Sequence, residues 1–288
     1  MSGEPEDGSV ALPPARRAAL ARFLAVVERE YTTVLRTRSL LAVAVGFAVV
    51  VVGLAWVGGT TGYVPAVLNL LTPVEVLVPA LAVAFGYEAV FGDRGRGELD
   101  VIRTYPLDRR EYLLAVYVGR ATVLLFAVLV PLFVVAGLVT ATGGARTSVI
   151  ASHAGADSFV LYVRFVVLTT LLALVALAVA VAVSAAAGGP RSAAALGLGA
   201  VVALTVGIDL AIVAGLGAAF PADALPVVLA LSPTGAYRGL VLGSVLDVAL
   251  AAAPSAGAPL LSLAGLLAWL AGSLAAAIAA VAPLESRR

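Results

Sequence analysis

The 288-residue chain has no cysteine and no lysine, a single methionine (Met1) and a single histidine (His153). Without cysteine, neither a disulfide framework nor a thiolate metal site can form. Without lysine, a GxxxxGK[ST] phosphate-binding loop is excluded, and the sequence contains no HExxH or GxSxG either. Copper and zinc pathways rely on Cys, Met or His, which disfavours metal conduction by this chain alone. His153 stands by itself in a polar stretch and reads as a solvated loop residue. Charge is scarce too: 12% of the residues are charged, against about 25% in an ordinary soluble domain. The net charge of +1 names no partner, and no nucleic acid is expected. No catalytic, cofactor-binding or metal-binding set is expected in this chain.

What is present is apolar. Hydrophobic residues make up 62% of the chain, and several stretches of about 20 residues are nearly free of charge, the length a ~30 Å hydrocarbon layer requires of a helix. Backbone polar groups in lipid must be satisfied within each segment, and the alternation of a transmembrane barrel is missing. The expected fold is therefore all-α and polytopic, with six spans near 40–58, 72–91, 109–140, 159–187, 192–217 and 259–283.

The first 15 residues are acidic, contain Pro and Gly, and lack the basic start and apolar core of a signal peptide; they read as a disordered tail. In 16–38, Leu20, Phe23, Leu24, Val27, Tyr31, Val34 and Leu35 share one helical face. Arg22, Glu28, Arg29, Thr32, Thr33 and Arg36 share the other. This is an amphipathic helix suited to the membrane interface, in preference to a soluble packing helix, because it runs straight into the first span. The second span is expected to start at Thr72, where Thr72-Pro73-Val74-Glu75 has the form of a helix cap. On that reading Glu75 caps a helix at the outer interface. Asp108 and Glu111 form a similar start signal for the third span. Residues 218–258, rich in proline at first and including Arg238 and Asp247, read as one or two short outer helices that dip in without crossing.

Six spans put both termini on one side. Fifteen arginines then fall on that side, and only Arg146, Arg164 and Arg238 on the other. By the positive-inside rule the terminal side is the cytoplasm, and the chain is a multi-pass protein of the cell membrane. Two acidic residues fall within spans. Asp209 reads as a wet helix end near the outer interface, with a pathway-lining or subunit-contact role as the alternative. Glu88 sits at the inner end of span two and reads as an interface carboxylate.

One interior loop breaks the pattern. In FGDRGRGELDVIRTYPLDRREYLL, residues 91–114, ten side chains are charged. Gly92, Gly95 and Gly97 end span two, and 98–105 can form about two helical turns with Leu99 and Ile102 on one face. Pro106 stops that helix and Asp108 starts the next. Glu98, Asp100, Arg103, Asp108 and Arg109 could set the register of a docked partner. On the residues alone, this reading and a loop charged merely to fix topology stand level.

The stretch from Gly92 to Arg120 resembles the corresponding loop of type-2 ABC transporter permeases. Their pattern is an acidic-basic pair, Gly-Thr/Ser-Leu, aliphatics, Pro, a polar gap, Arg and then Gly-Lys. Gly97, Leu99, Pro106, Arg109 or Arg110, and Gly119 match. Glu98 departs from the small hydroxyl residue, and Arg120 from the lysine. Leu231-Ser-Pro-Thr-Gly-Ala-Tyr-Arg-Gly239 is similar to a stretch of the NosY-like branch, which includes the permease of nitrous-oxide-reductase maturation systems.

The resemblance implies an elbow helix at 16–38 and a six-span permease domain at 39–288. It places a coupling loop at 92–112 and short outer helices at about 218–258. It also implies contact with a separate cytosolic ATPase through Gly97, Glu98, Leu99, Asp100, Ile102, Arg103, Pro106 and Arg109. ATP would bind to that partner, a second permease subunit would complete the pathway, and export is the usual direction. Asp209 and Glu88 remain candidates for pathway or subunit contact. The competing reading is a secondary transporter with Asp209 or Glu88 as its proton-coupling site.

Overall fold

Long runs of Leu, Val and Ala leave the backbone no option in lipid but to close its own hydrogen bonds as helices. The computed structural model describes residues 14–59, 61–92, 108–142, 157–216, 225–250 and 259–281, and no strand occurs among them. Helix α1 is Pro14–Arg36, α2 is Arg38–Val57, α3 is Tyr63–Gly86, α4 is Arg109–Ala141 and α5 is Phe159–Ala186. Helix α6 runs Pro190–Val202, passes through a π-helical turn at Ala203–Gly207 and continues as Ile208–Leu216. The short α7 (Leu225–Leu231) is followed by α8, which runs Pro233–Val241, crosses a second π turn at Leu242–Leu246 and ends at Asp247–Leu250. Helix α9 is Pro259–Val281.

Six of these helices, α2 to α6 and α9, are long and apolar enough to cross a membrane. The chain is an all-α, polytopic membrane protein. Helices α3 and α5 form its centre, whereas α2, α6 and α9 keep most of their surface turned outward. The centre is close-packed: a methyl group on Gly86 of α3 would meet the Ala180 Cβ of α5 at 2.5 Å, so glycine sets the contact distance there. At the far end Tyr63, Phe159, Tyr162 and Phe165 pack through edge-to-face and tilted ring contacts. Buried tyrosine hydroxyls need acceptors; Tyr162 donates to the Leu132 carbonyl at 2.7 Å and Tyr117 to that of Leu174 at 2.9 Å.

The described arginines segregate. Arg16, Arg17, Arg22, Arg29, Arg36, Arg38, Arg109, Arg110, Arg120 and Arg191 lie towards the end of the bundle that carries α1, Arg164 lies towards the other, and Arg238 lies between them. That asymmetry has the form of the positive-inside rule.

Three local readings change. Span two begins at Tyr63, nine residues before the expected Thr72, and carries both Pro73 and Pro79 inside the helix. The cap comes from elsewhere: Asp157, at the start of α5, accepts hydrogen bonds from the Tyr63 and Val64 N–H groups at 3.1 and 2.7 Å. Glu75 therefore caps nothing and lies buried in mid-helix. Asp108 does occupy the cap position of α4, but its side chain accepts no hydrogen bond from the helix. On α1, Leu20, Leu24 and Leu35 point outward as an interfacial helix requires, yet Glu30 and Val34 are buried where α1 lies along α4. The helix is apolar towards its surroundings and pinned to the bundle by a charge.

Candidate functional site

Charged groups inside an apolar bundle are expensive, and those that persist are paired and informative. Two arginine–glutamate pairs stand out. In the first, Arg120 of α4 donates through Nε to Glu30 Oε2 of α1 at 2.9 Å, and both side chains are nearly inaccessible, at 7% and 2% exposure. The same guanidinium donates through Nη1 to the Phe85 carbonyl at the end of α3, while Arg29 holds the second Glu30 oxygen at 2.7 Å. Three helices thus meet at one guanidinium. Gly119 makes the approach feasible, because a Cβ there would lie 2.6 Å from the Glu30 Cβ and 2.8 Å from the Val27 carbonyl. The Gly119-Arg120 dipeptide has a physical task, which is to seat α1 on α4.

The chain leaves α3 just beyond this clamp. The Val90 and Phe91 N–H groups both donate to Ser184 Oγ of α5, at 3.0 and 3.1 Å. The root of the charged loop is therefore fastened on two sides, by Arg120 at Phe85 and by Ser184 at Val90–Phe91. Gly97, Glu98, Leu99, Asp100, Ile102, Arg103 and Pro106 lie outside the described residues; Arg109 opens α4, half-buried. Glu88 is exposed at this same end of the bundle.

The second pair lies midway along α3. Arg238 of α8 holds both oxygens of Glu75 of α3, with Nε at 3.2 Å from Oε1 and 3.0 Å from Oε2, and with Nη2 donating to Oε2 as well. Around it, α8 is bound to its neighbours by short polar side chains. Ser232 caps α8 by accepting from the Gly235 N–H at 3.1 Å, and it donates to Asp209 of α6. The Thr234 hydroxyl lies 2.9 Å from the Leu204 carbonyl, inside the π turn of α6, and 3.3 Å from Asp209 Oδ2. A π turn takes a carbonyl out of the ordinary helical ladder, and here Thr234 supplies a donor. Tyr237 shares a 2.9 Å hydrogen bond with Thr169 of α5. Asp209, expected as a wet helix end or as a pathway or subunit contact, is engaged in joining α6 to α8.

Sequence reasoning did not find the Glu75–Arg238 pair. Its partners are 163 positions apart, and the local Thr-Pro-x-Glu pattern offered an explanation for the carboxylate that needed no partner. Glu30 was missed as well; the usable signal was Gly119-Arg120, a glycine and a cation adjacent on a span, which asks for a close neighbour bearing an acid. The described residues include no cluster of three or more His, Cys, Asp or Glu that could hold a metal ion. An apolar groove of about 470 Å³ opens between α5, α7 and α9, with the Trp269 Nε1–H at its rim donating to the Leu231 carbonyl at 2.8 Å.

With this geometry in place, relatives become informative. A model of the ABC-2 family transporter protein matches residues 24–282. The chain belongs to the ABC-2 transporter family. Among its relatives, the probable ABC transporter permease protein NosY of Stutzerimonas stutzeri is 34% identical over 226 residues, covering 74% of this chain and 78% of the relative. The probable NosY permease of Pseudomonas aeruginosa is 33% identical over 227 residues, with the same coverage of each chain. This ABC-2 protein is a permease subunit, the membrane-spanning transport component of an ABC transporter, and membership implies an ATPase partner.

Proposed function

We propose that this permease is the membrane half of an exporter driven by a separate cytosolic ATPase, which docks on the loop at 92–112. The observation that carries the reading is the fastening of the loop root. Arg120 joins α1, α3 and α4 where α3 ends, and Ser184 fixes the next backbone N–H groups to α5. A push on the loop would reach four helices together and would not simply fray one helix end. Leu99 and Ile102 would be the apolar contacts of the docked helix. Gly97, Glu98, Asp100, Arg103, Pro106 and Arg109 would set its shape and register, and ATP would sit on the partner.

A second permease subunit, identical or homologous, would cover the outward faces of the peripheral helices. The arginine segregation supports placing both termini and the loop in the cytoplasm of a cell-membrane protein. The NosY relatives favour a role in the nitrous-oxide-reductase maturation branch. The proton-coupled alternative draws less support, since Asp209 is engaged by Ser232 and Thr234 and Glu88 is exposed. Co-purification with the co-expressed ATPase tests the docking site. Leu99→Asp with Ile102→Asp should abolish association while leaving the permease monodisperse. Undiminished association would remove the loop from the interface.

A further inference from the structure

Glu75 lies midway along α3, twelve residues from Tyr63 and eleven from Gly86. At 1.5 Å per residue it is about 18 Å from one helix end and about 16 Å from the other. Within a hydrocarbon layer about 30 Å thick, that is close to the midplane. An arginine near a helix end can snorkel to the headgroups, but Arg238 grips both Glu75 oxygens and is held at that depth. Its side chain is nevertheless 47% exposed, whereas Glu75 is 5% exposed. The hydrogen bonds of the guanidinium run through Nε and Nη2, and its Nη1 meets no acceptor among the described residues. A half-uncovered guanidinium at mid-bilayer depth is not compatible with a lipid neighbour. Water, or a polar group that replaces water, must lie against it.

The surroundings extend the polar face. Thr234 and Arg238 are four residues apart on α8 and so lie on the same side of the helix. Thr234 and Ser232 reach Asp209, which brings a second carboxylate to the region where Glu75 already sits. Two carboxylates against one guanidinium leave an excess of one negative charge.

We propose that the α3–α6–α8 face around Arg238 is the wall of a water-filled transport path at bilayer midplane, and that its negative excess favours cationic or uncharged polar cargo groups over anionic ones. This rests on the permease reading and adds a position and a charge preference to it.

The absence of native cysteine makes the test direct. In permeabilised membrane vesicles carrying the full chain and its co-expressed ATPase, Arg238→Cys is combined with Glu75→Gln, which removes one charge of each sign and strands neither. The comparator is Val49→Cys, an outward-facing position on α2. Thiolates form in water and not in hydrocarbon, so charged methanethiosulfonates should modify the variant at position 238 at least about ten-fold faster than the comparator. A rate no faster than that of Val49→Cys would overturn the aqueous wall. The cationic trimethylammonium reagent should react several-fold faster than the anionic sulfonate once intrinsic reactivities are divided out. Adding Asp209→Asn should collapse that ratio; equal rates without Asp209→Asn, or a ratio that survives it, would overturn the charge preference. Loss of ATPase co-purification would count against the ATPase-driven exporter reading alone, because labelling needs no ATPase.

Discussion

Two arginine–glutamate pairs hold this bundle, and they differ in what surrounds the guanidinium. Arg120 is buried with its partner Glu30, and what it grips is protein: the Glu30 carboxylate of α1 and the carbonyl end of α3. Arg238 clasps Glu75 just as closely, yet nearly half of its side chain is uncovered. Burial with full pairing makes an arginine a fastener, because leaving the remaining charge alone is strongly unfavourable. Burial of only the carboxylate makes a site that can exchange partners, because water or cargo can take over the arginine's free edge. One chemistry thus serves cohesion at the α1 end of the molecule and accessibility at mid-depth.

The contrast breaks most plainly at Arg120. Arg120→Ala leaves the buried Glu30 carboxylate only the partly exposed Arg29 as partner and strands the Phe85 carbonyl, and should cost about 3–5 kcal/mol of stability, read as loss of monodisperse protein in detergent and a steep fall in Tm. If Arg120→Ala proved no worse than changes at the other pair, the distinction between fastener and exchangeable site would fail. Gly119→Ala comes next. Its methyl group would collide with Glu30 and with the Val27 backbone, so α1 must shift, at about 1–3 kcal/mol. Limited proteolysis should then cut within α1 before any other described helix.

Glu75→Gln keeps an acceptor for Arg238 and leaves that side chain its outer half, so the loss should be about 1–2 kcal/mol in a thermal melt. Salt sharpens the comparison. Raising ionic strength to about 1 M shortens the screening length to about 3 Å and should shrink the Glu75→Gln effect while leaving the Arg120→Ala effect unchanged. Smallest is Tyr237→Phe, which removes only the hydrogen bond to Thr169 and should cost about 1 kcal/mol. A larger penalty would mean that α8 depends on that bond more than on its ion pair.

The spans were legible because each is a long apolar run, and lipid allows such a run one conformation. Helix starts were less legible, since a cap can come from anywhere in the fold. Thr72-Pro73-Val74-Glu75 has every local feature of a helix start, but Asp157, 94 positions from Tyr63, caps the helix a full two turns earlier. Pro73 is then simply carried inside the span, where neighbouring helices compensate for the missing donor. The family was legible because the Gly-Leu-Pro-Arg-Gly spacing of the loop is a local pattern. The ion pairs were not, because nothing within a turn of Glu75 or Glu30 announces a partner in another helix. Periodicity shows which face of α1 is greasy; it does not show that Glu30, between two arginine-bearing faces, turns inward.

Ser184 has a mechanical consequence. Its single hydroxyl receives two successive backbone donors where α3 ends, which makes it a fulcrum: it resists rotation of the chain about its own axis as well as withdrawal. A load applied along 93–107 would then arrive at the bundle as torque on α5, the central helix, and not as stretch along α3. Removing that hydroxyl would leave the lever its length and take away its pivot.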